Sequence, residues 1–148
     1  MIDELKNIEY VLFDLDGTVS DSSEGITKSA DKALKSEGID VPFETLTSFI
    51  GPALRVSFGR YTDDVEKRDR MLDVYRERYS EKGWCENKIY PGMAELLRDL
   101  QKSGKHVVLA SAKPEYFCRK IIKYFGVEQY FDFIGVSDME GKRDDKTV

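Results

Sequence analysis

The sequence predicts an α/β fold in which a parallel sheet carries an inserted α-helical domain. Three observations lead there. Short apolar runs end abruptly at polar residues, helical patterns separate the later runs, and the long stretch from Asp21 to Trp84 holds no strand pattern.

The first run, Tyr10-Val11-Leu12-Phe13, stops at Asp14. Uninterrupted and not alternating, it reads as a parallel strand buried on both faces. Next, Asp21, Ser22 and Ser23 offer N-caps to a helix with Ile26, Ala30, Ala33 and Leu34 on one face, ending near Gly38. Pro42 starts a short helix through Leu46 and Phe49, which Gly51-Pro52 breaks. Leu54, Val56 and Phe58 belong to a third helix. Asp63 or Asp64 then opens a long polar one with Val65, Leu72, Tyr75 and Tyr79 inward. Trp84 is read with these tyrosines as a core or hinge aromatic.

Pro91 opens a helix with Met93, Leu96, Leu97 and Leu100 on one face, closed by Gly104. A second apolar run, Val107 to Ala110, stops at Ser111. A helix from Pro114 to Phe125 carries Phe117, Ile121 and Phe125, and Gly126 stops it. The third run, Phe133 to Val136, stops at Ser137. This alternation is βαβ grammar. It gives residues 1–18 and 85–148 to the sheet domain and 19–84 to the helical insertion.

Composition narrows the function classes. With 148 residues, 41% hydrophobic and 34% charged, the chain can bury a core. A net charge of −5 speaks against nucleic acid and anionic membrane surfaces as partners. No apolar run approaches the roughly 20 residues that span a bilayer. The acidic start, MIDELKNIEYVLF, has no signal-peptide pattern, so the expected location is the cytoplasm. Cys85 and Cys118 lack partners at metal-ligand spacing and read as reduced thiols. The single histidine, His106, reads as a strand residue rather than a catalyst.

The chemistry concentrates where the first strand ends. VLFDLDGT sets Asp14 and Asp16 two residues apart, and alternate residues of an extended segment share a face. Two carboxylates 4 Å apart repel by about 1 kcal/mol in water and more in a drier site. A divalent cation or a shared proton offsets that. Gly17 permits a sharp turn and Thr18 adds a hydroxyl nearby. An Asp-Gly turn capping a strand would account for the second carboxylate but not the first.

VLFDLDGT resembles the first signature of the haloacid dehalogenase superfamily, an apolar run followed by DxDGT. LASAKP resembles its second signature, and GKRDDK the loop holding its third, a lysine. With YPG before the second βα unit and KYFGVEQYFD after it, the pattern is similar to the phosphoglycolate phosphatase-like subgroup. The resemblance implies a Rossmann-like core with a helical cap and a magnesium-dependent phosphatase acting on a small phosphorylated metabolite. Asp14 would be the nucleophile and Asp16 the general acid and base. Magnesium would be held by the Asp14 carboxylate and the Asp16 carbonyl. Gly17 and Thr18 would lie by the phosphate, while Ser111 and the Ala112 amide would bind phosphoryl oxygens.

Lys146 would neutralise charge on the phosphate and on Asp14. Lys142 competes for that role, but Asp144 and Asp145 can cap a helix that aims Lys146 back at the sheet. Arg55, in IGPALR, is the cap candidate for a substrate's negative group. Lys113 could touch phosphate, although solvation explains a Lys-Pro at a helix start equally well.

The family's fourth signature, an acidic pair beyond the lysine, is not found before Val148. Asp138 and Glu140 precede the lysine and do not replace it. The reading is therefore of a C-terminally truncated chain with weak or no phosphatase activity, and with Tyr10 to Phe13 bared as a sheet edge that invites a homodimer. The alternative readings are a non-catalytic interaction protein and a phospho-acceptor signalling module.

Overall fold

The structure is a computed structural model and describes residues 5–137; the expectations for Asp138, Glu140, Lys142 and Lys146 lie outside the described residues. The chain divides into two compact units, 1–19 with 89–148, and 20–88.

The first unit is built on a three-stranded parallel sheet in the order β1 (Tyr10–Phe13), β4 (His106–Pro114), β5 (Phe133–Ser137). Tyr10 to Phe13 register with His106 to Leu109, and Val108 to Ser111 with Phe133 to Val136. Helices α4 (Met93–Lys102) and α5 (Glu115–Tyr124) both pack on β4. They cover the side carrying Val107 and Leu109, both fully buried.

The opposite side corrects the expectation for β1. Leu12, Val108 and Phe133 lie abreast in the register, yet Leu12 is 62% and Phe133 60% exposed. Both helices occupy one side of the sheet, so among the described residues that row faces solvent. β1 is a sheet edge within the described strands. Its apolar run marks a strand, but not burial on two faces.

Helix α5 closes with paired bonds, Gly126 N–H to Lys123 O at 3.0 Å and Val127 N–H to Ile122 O at 3.0 Å. In α4, Met93, Leu97 and Leu100 point inward to differing degrees and only Leu97 is fully buried. Leu96, expected on that face, is 44% exposed because it sits about 100° around the helix from Leu97. β4 does not stop at Ser111 but runs on to Pro114, with an irregular register between the two.

The second unit contains α1 (Ser23–Ser36), a 3₁₀ segment Phe43–Phe49, α2 (Leu54–Gly59) and α3 (Val65–Glu81). Two-residue strands β2 (Ser20–Asp21) and β3 (Lys88–Ile89) pair with each other; the sequence pattern gave no sign of them. Just before α1, Asp21 accepts the Ser23 N–H at 3.1 Å, and the Ser23 hydroxyl and N–H hold its carboxyl below the usual range; the N-cap residue itself, Ser22, makes no side-chain capping bond. Asp64 caps α3, accepting the N–H groups of Glu66 and Lys67 at 2.9 and 3.2 Å.

The core of this unit is an aromatic file. Phe49 meets Phe58 at 4.9 Å, Phe58 meets Tyr75 at 6.1 Å, and Tyr75 stacks on Tyr79 at 5.6 Å. Val65, read as inward, is exposed, and so is Val56. Ser57 and Phe58 take the buried side of the short α2, and the apolar stripe of α3 begins only at Met71. Arg78 reaches Glu86 at 2.7 Å and Ser29 Oγ at 3.1 Å, and its guanidinium lowers the Glu86 carboxyl below its ordinary value. No described helix is long and apolar enough to cross a membrane.

Candidate active site at the carboxyl end of the sheet

Parallel strands deliver their C-terminal ends to one rim, the general location of ligand sites in open α/β sheets. Here β1 brings Asp14 and Asp16 to that rim, and β4 brings Ser111, Ala112 and Lys113. Leu15, between the carboxylates, is fully buried. Bonds from Thr18 N–H (3.2 Å) and Val19 N–H (3.0 Å) to Leu15 O close the loop, with Gly17 at φ 79° between them. Gly17 and Thr18 are exposed on this turn. The Asp14 carboxylate accepts the Leu15 N–H at 2.9 Å.

Asp16 is held more tightly. Its side chain is only 9% exposed, and Oδ2 lies 3.3 Å from Nζ of Lys113, itself 8% exposed. Its other oxygen, Oδ1, is buried and has no hydrogen-bond partner among the described residues. A buried anionic oxygen without a donor is costly in a finished site and is the kind of atom a ligand satisfies. Ser111 is 4% exposed, and its Oγ accepts the Lys113 N–H at 3.1 Å.

Cys118, on α5 below this rim, reports how closely the groups gather. Burial pushes its thiol up from 9.0 to about 12, Lys113 pulls it down, Asp16 and Asp14 push it up, and a Ser111 hydrogen bond lowers it. All four residues therefore act on one sulfur. The folded value exceeds the unfolded one, so this contribution to stability is intact below about pH 9 and is lost as pH rises toward 12. Buried and protonated, Cys118 should resist thiol reagents. In native chain at pH 8, Ellman's reagent should titrate Cys85 alone, and both thiols after denaturation; two fast-reacting thiols in the native state would refute this placement.

Lys113 is the residue that sequence reasoning undervalued. The signal was available: in a strand, Ser111 and Lys113 share a face, and Ser111 was already placed at the site. Arg55 belongs to the helical unit, where it pairs with Asp69 at 2.8 Å. Among the described residues no group of three or more His, Cys, Asp or Glu side chains comes together. Asp14 and Asp16 nonetheless offer the hard oxygen donors that suit magnesium, which commonly takes one or two carboxylates and keeps its waters. Asp16 Oδ1, buried with no partner among the described residues, is an acceptor that a water on such an ion would satisfy, while the ion itself would sit on the Asp14 carboxylate and the Asp16 carbonyl.

Known proteins bear on this geometry. The 5'-nucleotidase of Pseudomonas aeruginosa is 39% identical over 138 residues, covering 92% of this chain and 62% of that protein. The tyrosine-protein kinase PtkA of Mycobacterium tuberculosis is 36% identical over 139 residues, 93% of this chain and 47% of that one. The phosphoglycolate phosphatase of Aquifex aeolicus is 31% identical over 137 residues, with 92% and 64% covered. Among solved structures, a predicted phosphatase from Clostridium acetobutylicum superposes with a TM-score of 0.87 at 43% identity, covering 91% of this chain and 63% of that one. The chain thus spans about half to two thirds of the relatives it matches. Residues 11–147 match the family described as haloacid dehalogenase-like hydrolase, and the chain belongs to that family.

Proposed function

We propose that this chain is a phosphatase that hydrolyses a small phosphomonoester through an aspartyl-phosphate on Asp14. The observation that carries the reading is the Asp16 carboxylate, nearly buried beside Asp14 and Ser111, with one oxygen anchored and the other without a partner. Asp14 attacks phosphorus as the bond to the leaving alcohol breaks, and Asp16 gives that alcohol its proton. Asp16 then takes a proton from water as the water oxygen bonds to phosphorus, and Asp14 is released. Ser111 Oγ and the Ala112 N–H donate to phosphoryl oxygens. Lys146, beyond the described residues, is assigned the neutralising charge.

The Asp14 carboxylate and the Asp16 carbonyl would hold a magnesium ion, whose positive charge would let a carboxylate approach a phosphate dianion. Arg55 is the proposed contact for a substrate's second charged group, and it would have to leave Asp69 to serve. The proposed setting is the cytoplasm.

The test is phosphate release from p-nitrophenyl phosphate, phosphoglycolate, sugar phosphates and nucleoside monophosphates, with magnesium and with EDTA. Release that needs magnesium and returns on its readdition is the expected result; release indifferent to EDTA sinks the metal-assisted reading. Likeness to a protein named as a tyrosine kinase favours a second reading, transfer of the phosphoryl group from Asp14 to an acceptor hydroxyl. Label moving from ATP to a tyrosine peptide, without free phosphate, would select it.

A further inference from the structure

We propose that Lys113 is a positioning residue: its ammonium clamps Asp16 Oδ2 so that Oδ1 alone is presented for proton transfer. The inference rests on the phosphatase reading of Asp16.

The two charges lie 3.3 Å apart, and each side chain is more than nine-tenths buried. Out of water, a carboxylate cannot swing between alternative solvated positions, and the partner that neutralises it also fixes its orientation. The clamp is itself held. The Lys113 N–H donates to Ser111 Oγ at 3.1 Å, and the Lys113 carbonyl accepts from Cys118 Sγ at 3.5 Å. Pro114 restricts the residue before it to extended backbone, which β4 continues through this point. The backbone that carries the ammonium is thus fixed from three sides, while Oδ1 stays without a protein partner. One oxygen anchored and one available lets Oδ1 carry the proton that passes to the leaving alcohol and is regained from the attacking water, while the ion pair holds the carboxylate in the ionised form between those two steps.

This role has a chemical signature that a purely structural lysine lacks. p-Nitrophenolate leaves readily without a proton, whereas an alkoxide needs the acid. In the full chain with magnesium, Lys113→Met should lower kcat for an alkyl phosphate by about 10²-fold through misplacement of the acid. With p-nitrophenyl phosphate, which draws little on general-acid catalysis, it should lose less than about threefold. KM should change little for either substrate, and Lys113→Arg should recover part of the alkyl phosphate rate.

Equal losses on both substrates overturn the inference, as does an unchanged alkyl phosphate rate. The pairing has a second readout that needs no turnover, the melting temperatures of Lys113→Met, Asp16→Asn and the double variant. The double variant should lose less than the sum of the singles, since each single leaves one buried charge alone. Additive losses overturn the clamp even in an inactive chain. Wild-type chain that hydrolyses neither compound sinks the phosphatase reading and the catalytic half of this inference with it, while the melting cycle still decides the pairing.

Discussion

Replacing Asp14 with asparagine should cut magnesium-dependent phosphate release by at least about 10³-fold, because an amide oxygen is a poor nucleophile toward phosphorus. The change is nearly isosteric. The amide oxygen can still accept the Leu15 N–H that the Asp14 carboxylate accepts at 2.9 Å, so this contact in the loop survives the substitution. Removing one of two neighbouring negative charges also relieves repulsion toward Asp16, and the variant should melt as high as its parent or slightly higher. Loss of turnover at unchanged or raised stability separates a chemical role from a structural one. The covalent intermediate gives a second measurement: beryllofluoride with magnesium should form an adduct with the parent and none with Asp14→Asn. A variant that keeps a tenth of the parental rate would remove Asp14 as the nucleophile.

What the sequence disclosed, and what it did not, follows from which forces are local. Strand ends, helix caps and the DxDGT turn are set by residues within a few positions of one another, so Asp14 and Asp16 could be placed at a strand end from their spacing, while Ser111 joined them through the family resemblance. The register that puts Phe13 beside Leu109 is not among the things the spacing could give, since parallel pairing alone fixes no register. Burial is not local. Leu12 and Phe133 belong to apolar runs yet face solvent, because α4 and α5 both pack on the other side of the sheet. The same limit applies to Val56, Val65 and Leu96, whose exposure depends on which side of each helix meets a neighbour. Lys113 was misjudged for the opposite reason. A lysine before a proline is usually solvated, and only the strand's continuation past Ser111 turns it inward to Asp16. Long charged side chains are thus the least legible part of the site, since their reach exceeds the span over which spacing is informative.

Replacing Gly25 with alanine should destabilise the helical unit by about 3 kcal/mol, lowering its unfolding midpoint by roughly 12–24 °C. Propensity alone argues the reverse, because alanine within a helix is better than glycine by up to about 1 kcal/mol. Contact decides the sign. A Cβ at Gly25 would sit 1.9 Å from the Gly83 carbonyl oxygen and 2.7 Å from its carbon, and these are backbone atoms that no side-chain rotation can move. Gly83 cannot retreat freely, since a Cβ built there would itself meet Tyr79 at 2.7 Å and Ser29 at 2.9 Å. Parting the two backbones would also break the Gly25 N–H bond to Glu86 O at 3.2 Å and strain the Arg78–Glu86 pair. Gly59→Ala is the matched control. Its Cβ would meet only the Arg68 guanidinium, at an ordinary 3.5 Å, so helix propensity should prevail there and the midpoint should hold or rise slightly. Thermal unfolding followed by circular dichroism reads both variants. If Gly25→Ala melts at or above the parent, α1 and the segment around Gly83 are not in contact, and the packing that closes the helical unit is wrong.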